Sequence, residues 1–134
     1  ATEEGKETGL KVIELGNNDL RVLLNESKAL DIMQVWHKGV NMSFVSKNGF
    51  TAREIAFGRR FEGGMLYTCG LRSTGGAHRD GEEWHPLHGR YHSLQADQVC
   101  AEVVGDEVII RGTMRETALF GHNLQLKRTI RIPV

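Results

Sequence analysis

The chain has 134 residues, and its 17 Lys+Arg balance its 17 Asp+Glu, so the formal net charge at neutral pH is zero. That balance excludes a basic face broad enough to hold nucleic acid by charge alone, and no apolar run approaches the roughly 20 residues a membrane helix needs. With hydrophobic residues at 40%, a chain of this length is expected to be one domain with a real core.

Residues 1–9, with Glu3, Glu4, Lys6 and Glu7, lack apolar periodicity and read as a flexible lead-in. They contain no secretory leader, so the expected location is the cytoplasm. From Leu10 onward, short period-2 segments recur, broken by Gly or Asn, the pattern of an all-β sandwich or barrel. Lys11–Leu15 and Leu20–Leu24 flank the turn Gly16-Asn-Asn-Asp19 and form a first hairpin. Ala29–His37 turns at Lys38-Gly39 into Val40–Val45, a second hairpin. Residues 46–62 are irregular and anchored by Phe50, Phe57 and Phe61, with room for a helical turn around Ala52–Ala56. Met65–Leu71 reads as a buried strand, and the polar, Gly-rich stretch 73–83 as a long loop of the kind that binds or covers ligands. Gln98–Val104 and Glu107–Arg115 form a hairpin across Gly105-Asp106, and a last alternating segment begins at Leu124. Cys69 and Cys100 lie outside any metal-ligand spacing and are expected as buried free thiols.

Chemistry concentrates in one region. His78, His85, His88 and His92, four of the six histidines, fall between residues 78 and 92, with Trp84, Arg79 and Arg90 among them. Imidazole serves as acid, base or metal ligand near neutral pH. If residues 87–93 form a strand, His88, Arg90 and His92 share a face, and His88 and Arg90 stand about 7 Å apart. Such a pair suits a neutral, hydroxyl-rich ligand, and Gly89 between them permits close approach of a ligand or another backbone. His88 and His92 are then too far apart to hold one metal ion, and no metal is expected. Trp84 could stack on the apolar face of a sugar, whereas Trp36 reads as core. Gly63-Gly64 and Gly75-Gly76 lack the Lys-Ser/Thr and helix start of a phosphate loop.

Three segments taken in order, Phe61-Glu-Gly-Gly-Met-Leu-Tyr-Thr-Cys-Gly-Leu71, Pro86-Leu-His-Gly-Arg90 and Leu119–Arg131, resemble an uncharacterised bacterial branch of the aldose 1-epimerase, or galactose mutarotase-like, superfamily. Leu30-Asp-Ile32 and Trp36-His-Lys-Gly39 are similar to that branch as well. The resemblance implies a large antiparallel β-sandwich of about twice this length, with residues 10–134 as its N-terminal half. It implies chemistry at the anomeric centre of a sugar: a carboxylate takes the proton from the anomeric hydroxyl while a histidine protonates the ring oxygen. The Leu-His-Gly motif of the family matches Leu87-His88-Gly89, which makes His88 the implied catalytic histidine. Arg90 fits the branch's own Leu-His-Gly-Arg version. Arg60 and Arg72 are both candidates for the family's sugar-binding arginine, with Trp84 and His78 as further substrate contacts.

The family's second histidine and its glutamate base fall downstream of Val134. No cofactor is implied. The expected partners are a sugar or sugar derivative and the remainder of the same domain, present as a second chain or fragment. A half-sandwich exposes apolar surface and unpaired edges, so a homo-oligomer is the other expected association. Two other readings stand beside this one: a non-catalytic carbohydrate-binding or regulatory domain, and a His-ligated metal enzyme.

Overall fold

The computed structural model describes residues 3–53 and 55–134. Ala1 and Thr2 of the lead-in and Glu54 of the expected helical turn lie outside the described residues. The architecture is all-β and antiparallel. Strands β1 (Val12–Gly16), β2 (Leu20–Asn25), β3 (Asp31–His37) and β4 (Val40–Asn41) form a four-stranded sheet in that order. The β1–β2 turn closes on Asn17, whose Oδ1 accepts from the Asp19 and Leu20 amides at 2.9 and 2.8 Å. This side-chain bonding is what makes Asn a turn residue.

Two short ladders follow, β5 (Phe44–Val45) with β6 (Gly63–Gly64) and β7 (His78–Asp80) with β8 (Glu83–His85). Strands β9 (Asp97–Val104), β10 (Glu107–Thr117) and β11 (Asn123–Pro133) then make a three-stranded sheet with β10 central. Its inward rows pack on the first sheet: Val22 and Leu24 of β2, Ile110 and Met114 of β10 and Ile132 of β11 share one core with Leu30, Tyr91 and Ala96. Along β11, Leu124, Leu126, Ile130 and Ile132 are the more buried row and Gln125, Lys127, Thr129 and Arg131 the exposed one, the one-sided alternation of a solvated antiparallel sheet.

Arg128 interrupts the apolar row. It donates to the Ala29 carbonyl and to Asp31 Oδ1, both at 2.7 Å, and to Thr68 Oγ1 at 2.6 Å. Asp31 also accepts from the Thr68 amide at 2.9 Å and from its hydroxyl. A buried charge needs such partners, and here they tie β3, β11 and the chain after β6 together. Burial pushes the Asp31 carboxyl above its usual range, against the lowering effect of Thr68 and Arg128.

Several expectations are corrected. Val40–Val45 is not one strand: Asn41 Oδ1 accepts from the Ser43 amide at 2.8 Å, and Ser43 Oγ takes the Val35 amide, so side chains end the ladder after Asn41. Met65–Leu71 is not a buried strand. The Met65 and Leu66 amides both donate to the Ile32 carbonyl, Thr68 turns to Asp31, and Met65 and Leu71 stand half-exposed. The helical turn is α1 (Phe57–Arg60) rather than one around Ala52–Ala56. Cys100 is exposed on β9, and Cys69 is half-buried. Trp36 is half-buried with the Arg21 guanidinium 4.6 Å over its ring, not core.

Candidate functional site

Residues 87–93 do not form a strand, so His88, Arg90 and His92 do not line up on one face. Leu87 and His88 occupy a turn closed by the Gly89 amide on the Pro86 carbonyl at 3.0 Å, and a short 3-10 turn, Tyr91–Ser93, follows. His88 takes φ +61°, unusual for a residue with a side chain. Gly89, at φ +78°, bridges in parallel to Gly70. A Cβ there would lie 2.5 Å from the Ser73 carbonyl oxygen and 2.7 Å from that of Gly70, so the close approach expected at Gly89 is by backbone. The His88 carbonyl accepts from the Gly70 amide at 3.0 Å, and its own amide donates to Gly75 at 2.8 Å. Both backbone groups of His88 are therefore held, while its half-buried ring rests 5.0 Å from Phe57.

Beside this turn opens a cleft of about 430 Å³ whose lining includes Phe57 and Arg60 of α1, Trp84 of β8, and Pro86 and Leu87. Trp84 is 51% exposed, enough to offer a ring face to a ligand. Another cleft, about 390 Å³, lies between Asn17–Arg21 and Trp36. There the aromatic face is already covered by Arg21, which pairs with Glu14 at 2.5 Å.

The remaining expected site residues brace the β7–β8 hairpin. Arg72 grips Glu83 with both terminal nitrogens, Nη2 to Oε2 at 2.7 Å, and this hydrogen bonding holds the Glu83 carboxyl below its usual range. Arg90 donates to the Trp84 carbonyl at 2.8 Å and faces Glu116 at 3.8 Å. His78 stacks on its cross-strand neighbour His85 at 5.0 Å, with Nδ1 3.0 Å from the Gly76 carbonyl. Arg60 and Trp84 thus meet at one cleft with His88 beside it, and Arg72, Arg90 and His78 support the strand that presents Trp84. The loop expected at 73–83 contains β7 and the start of β8.

Two arrangements behind the cleft escaped sequence reasoning, which named His92 but set it on a strand face with His88 and Arg90. His92 is fully buried, with Nδ1 3.0 Å from Arg60 Nη2, stacked on Tyr67 at 5.1 Å and edge-on to Phe57 at 6.0 Å. Burial first, and the Arg60 charge second, hold its pKa down at about 4, so it is neutral at physiological pH. Burial likewise pushes the Tyr67 phenol up. Lys28 and Glu62 form an enclosed ion pair at 2.9 Å, with Asn25 donating to the same carboxylate and Lys28 reaching toward the Arg60 carbonyl at 3.4 Å. Among the described residues, no group of three His, Cys, Asp or Glu side chains converges closely enough to hold a metal ion. No described helix is long and apolar enough to cross a membrane.

The two packed antiparallel sheets and their hairpins define an all-β fold of the aldose 1-epimerase, or mutarotase-like, kind. Residues 7–134 match the family model described as "Domain of unknown function (DUF4432)", and the chain belongs to that family. No curated protein matches the sequence. The chain is similar in structure, with a TM-score of 0.80 and 21% identity, to a protein of Klebsiella pneumoniae subsp. pneumoniae described as a "putative aldose 1-epimerase". The match covers 97% of this chain and 37% of that one, so the chain spans little more than a third of its solved relative.

Proposed function

We propose that the chain is the sugar-binding part of an aldose 1-epimerase-like protein that acts on the anomeric centre of a sugar or sugar derivative. One observation carries the reading: the cleft offers an exposed aromatic face, Trp84, and ends at Leu87, next to His88, whose ring rests on the cleft residue Phe57 and whose backbone is held on both sides. Stacking suits the apolar face of a pyranose, and an imidazole nitrogen suits hydrogen bonding at its ring oxygen. In this reading His88 donates the proton that opens the ring, Trp84 and Arg60 contact the sugar, and Arg90, Arg72 and His78 keep the Trp84 hairpin in place. The base that removes the anomeric proton comes from the rest of a longer domain, because the nearby Glu83 is committed to Arg72.

That remainder is the proposed partner. The solved relative is far longer than this chain, and the β5–β6 ladder is too short to be stable alone. Val40, Met42, Phe44 and Met65 beside it are each more than half exposed. Exposed apolar side chains beside a short ladder suit a surface that another element covers. A non-catalytic carbohydrate-binding domain is the second reading, favoured by the lack of a carboxylate among the described residues lining the cleft. Saturation-transfer NMR against a panel of aldoses tests binding, and two-dimensional exchange NMR of the anomeric protons tests catalysis. Binding that is lost in His88→Ala supports the shared part of both readings. Exchange above the uncatalysed rate selects the enzyme, binding without exchange selects the binder, and no saturation of any sugar refutes both.

A further inference from the structure

The β7–β8 ladder sorts its side chains onto two faces. His78 pairs with His85, and their rings stack at 5.0 Å, as directly opposed residues of an antiparallel pair do. Asp80, opposite Glu83, alternates onto the same face, where Arg72 holds the Glu83 carboxylate. The other face carries one register pair, Arg79 opposite Trp84. The Cβ atoms of such a pair lie about 5 Å apart, so the guanidinium is within reach of whatever stacks on the indole. Both residues are exposed, and Trp84 lines the cleft.

Arg79 differs from the other arginines of this region in its partners. Arg72 is committed to Glu83, Arg90 faces Glu116, and Arg60 is buried against His92. Among the described residues the one polar partner of Arg79 is the Glu82 carbonyl, at 3.4 Å. A carbonyl takes up one N–H and leaves the charge unpaired. The described lining of the cleft contains no carboxylate that would repel an anion. The acidic side chains of the hairpin are Asp80 and Glu83, on the far face of the ladder, and Glu82 in its turn. An exposed arginine is ordinarily no more than a solvated charge. What sets Arg79 apart is the register that fixes it beside the open aromatic face of the cleft.

We propose that the cleft takes an anionic sugar, a pyranose bearing a carboxylate or a phosphate, with its ring stacked on Trp84 and its anionic group paired with the Arg79 guanidinium. Either anion accepts two parallel N–H bonds from one guanidinium. Stacking uses the apolar face of the ring and leaves the substituents at its rim free to make them. The inference names the substrate class of the site already proposed, and it rests on that reading.

The test is an NMR titration of the full chain, followed at the Trp84 indole, in wild type, Arg79→Gln and Arg79→Lys. The probes are galactose and galacturonate, glucose and glucose 6-phosphate, and inorganic phosphate alone. In wild type at least one anionic sugar is expected to bind roughly tenfold more tightly than its neutral parent, the difference one charge-assisted hydrogen bond makes, and added salt should shrink that ratio. In Arg79→Gln the ratio falls to about one, and Arg79→Lys, which keeps the charge, retains part of it. A gain for galacturonate alone assigns a carboxylate, and a gain for glucose 6-phosphate alone assigns a phosphate; either upholds the proposal. Equal affinity for neutral and anionic sugars in wild type, or an advantage that survives in Arg79→Gln, overturns the proposal and leaves the sugar-binding reading standing. Inorganic phosphate that binds as tightly as glucose 6-phosphate marks an ion site without sugar recognition and overturns the phosphate assignment. Binding by none of the sugars overturns both the proposal and the reading beneath it.

Discussion

Replacing Glu62 by Ala strands a buried cation under the candidate site. The Lys28 and Glu62 side chains are 4% and 3% exposed and meet at 2.9 Å. Glu62 follows α1, the turn that supplies Phe57 and Arg60 to the cleft, and Lys28 also reaches the Arg60 carbonyl. In Glu62→Ala the ammonium keeps its burial and loses its counter-ion, and Asn25 Nδ2 loses its acceptor. Breaking a buried pair from one side costs about 3–5 kcal/mol, a large part of the roughly 5–15 kcal/mol that holds a domain folded. Removing both charges in Lys28→Met/Glu62→Met is expected to cost less than the sum of the single changes, because no charge is stranded. Urea unfolding of wild type, Lys28→Met, Glu62→Met and the double change at one pH closes the cycle, with Glu62→Ala measured beside them. A Glu62→Ala loss below about 1 kcal/mol, the range of exposed pairs, or strictly additive single changes, would show that the pair is solvated and does not anchor α1.

Three further outcomes follow from the same geometry. The folded-state pKa of His92 lies at about 4, below the usual 6.5, so the unfolded chain binds the proton more readily and stability falls as pH drops from about 6.5 toward 4. From pH 7 to 5 the loss is about 2 kcal/mol at 1.36 kcal/mol per unit; urea midpoints should show it in wild type, and His92→Gln should remove most of that slope. Gly89→Ala combines φ +78° with a Cβ 2.5 Å from the Ser73 carbonyl oxygen, and a loss of about 2–4 kcal/mol is expected in thermal unfolding. Arg128→Met strips Asp31 of its only cationic hydrogen-bond donor among the described residues, with an expected loss of about 3 kcal/mol in urea unfolding; an unchanged midpoint would mean that Thr68 alone satisfies the carboxylate.

The large sheets were legible because alternation fixes which face is buried. Val22 and Leu24, and Ile130 and Ile132, obey period 2, whereas the central strand β10 is buried on both faces at Ile109–Ile110 and Thr113–Met114, and Asn17 and Gly105 mark the turns by local chemistry. The site was less legible because its geometry is set by contacts between distant residues. Apolar composition made Met65–Leu71 look like a strand, but its donors find the Ile32 carbonyl and the Asp31 carboxylate, which no local pattern announces. A strand through His88 fails on a positive φ at a non-glycine residue, a cost met only because Gly70 and Gly75 bond it from outside the segment. Arg60 and His92 are 32 positions apart, and Arg128 and Asp31 are 97 apart. The Leu-His-Gly-Arg motif singled out His88 but not the turn that holds it, and the Arg60–His92 pair behind it left no local signal.

The most direct test of the central claim, that the cleft between Trp84 and the Leu87–Gly89 turn holds a sugar, is chemical-shift mapping of the isotope-labelled chain during titration with aldoses. The account predicts saturable changes at the Trp84 indole, the Leu87 amide and the His88 ring with one shared affinity, absent at Trp36. Saturable changes centred elsewhere, or none at millimolar sugar, would contradict it.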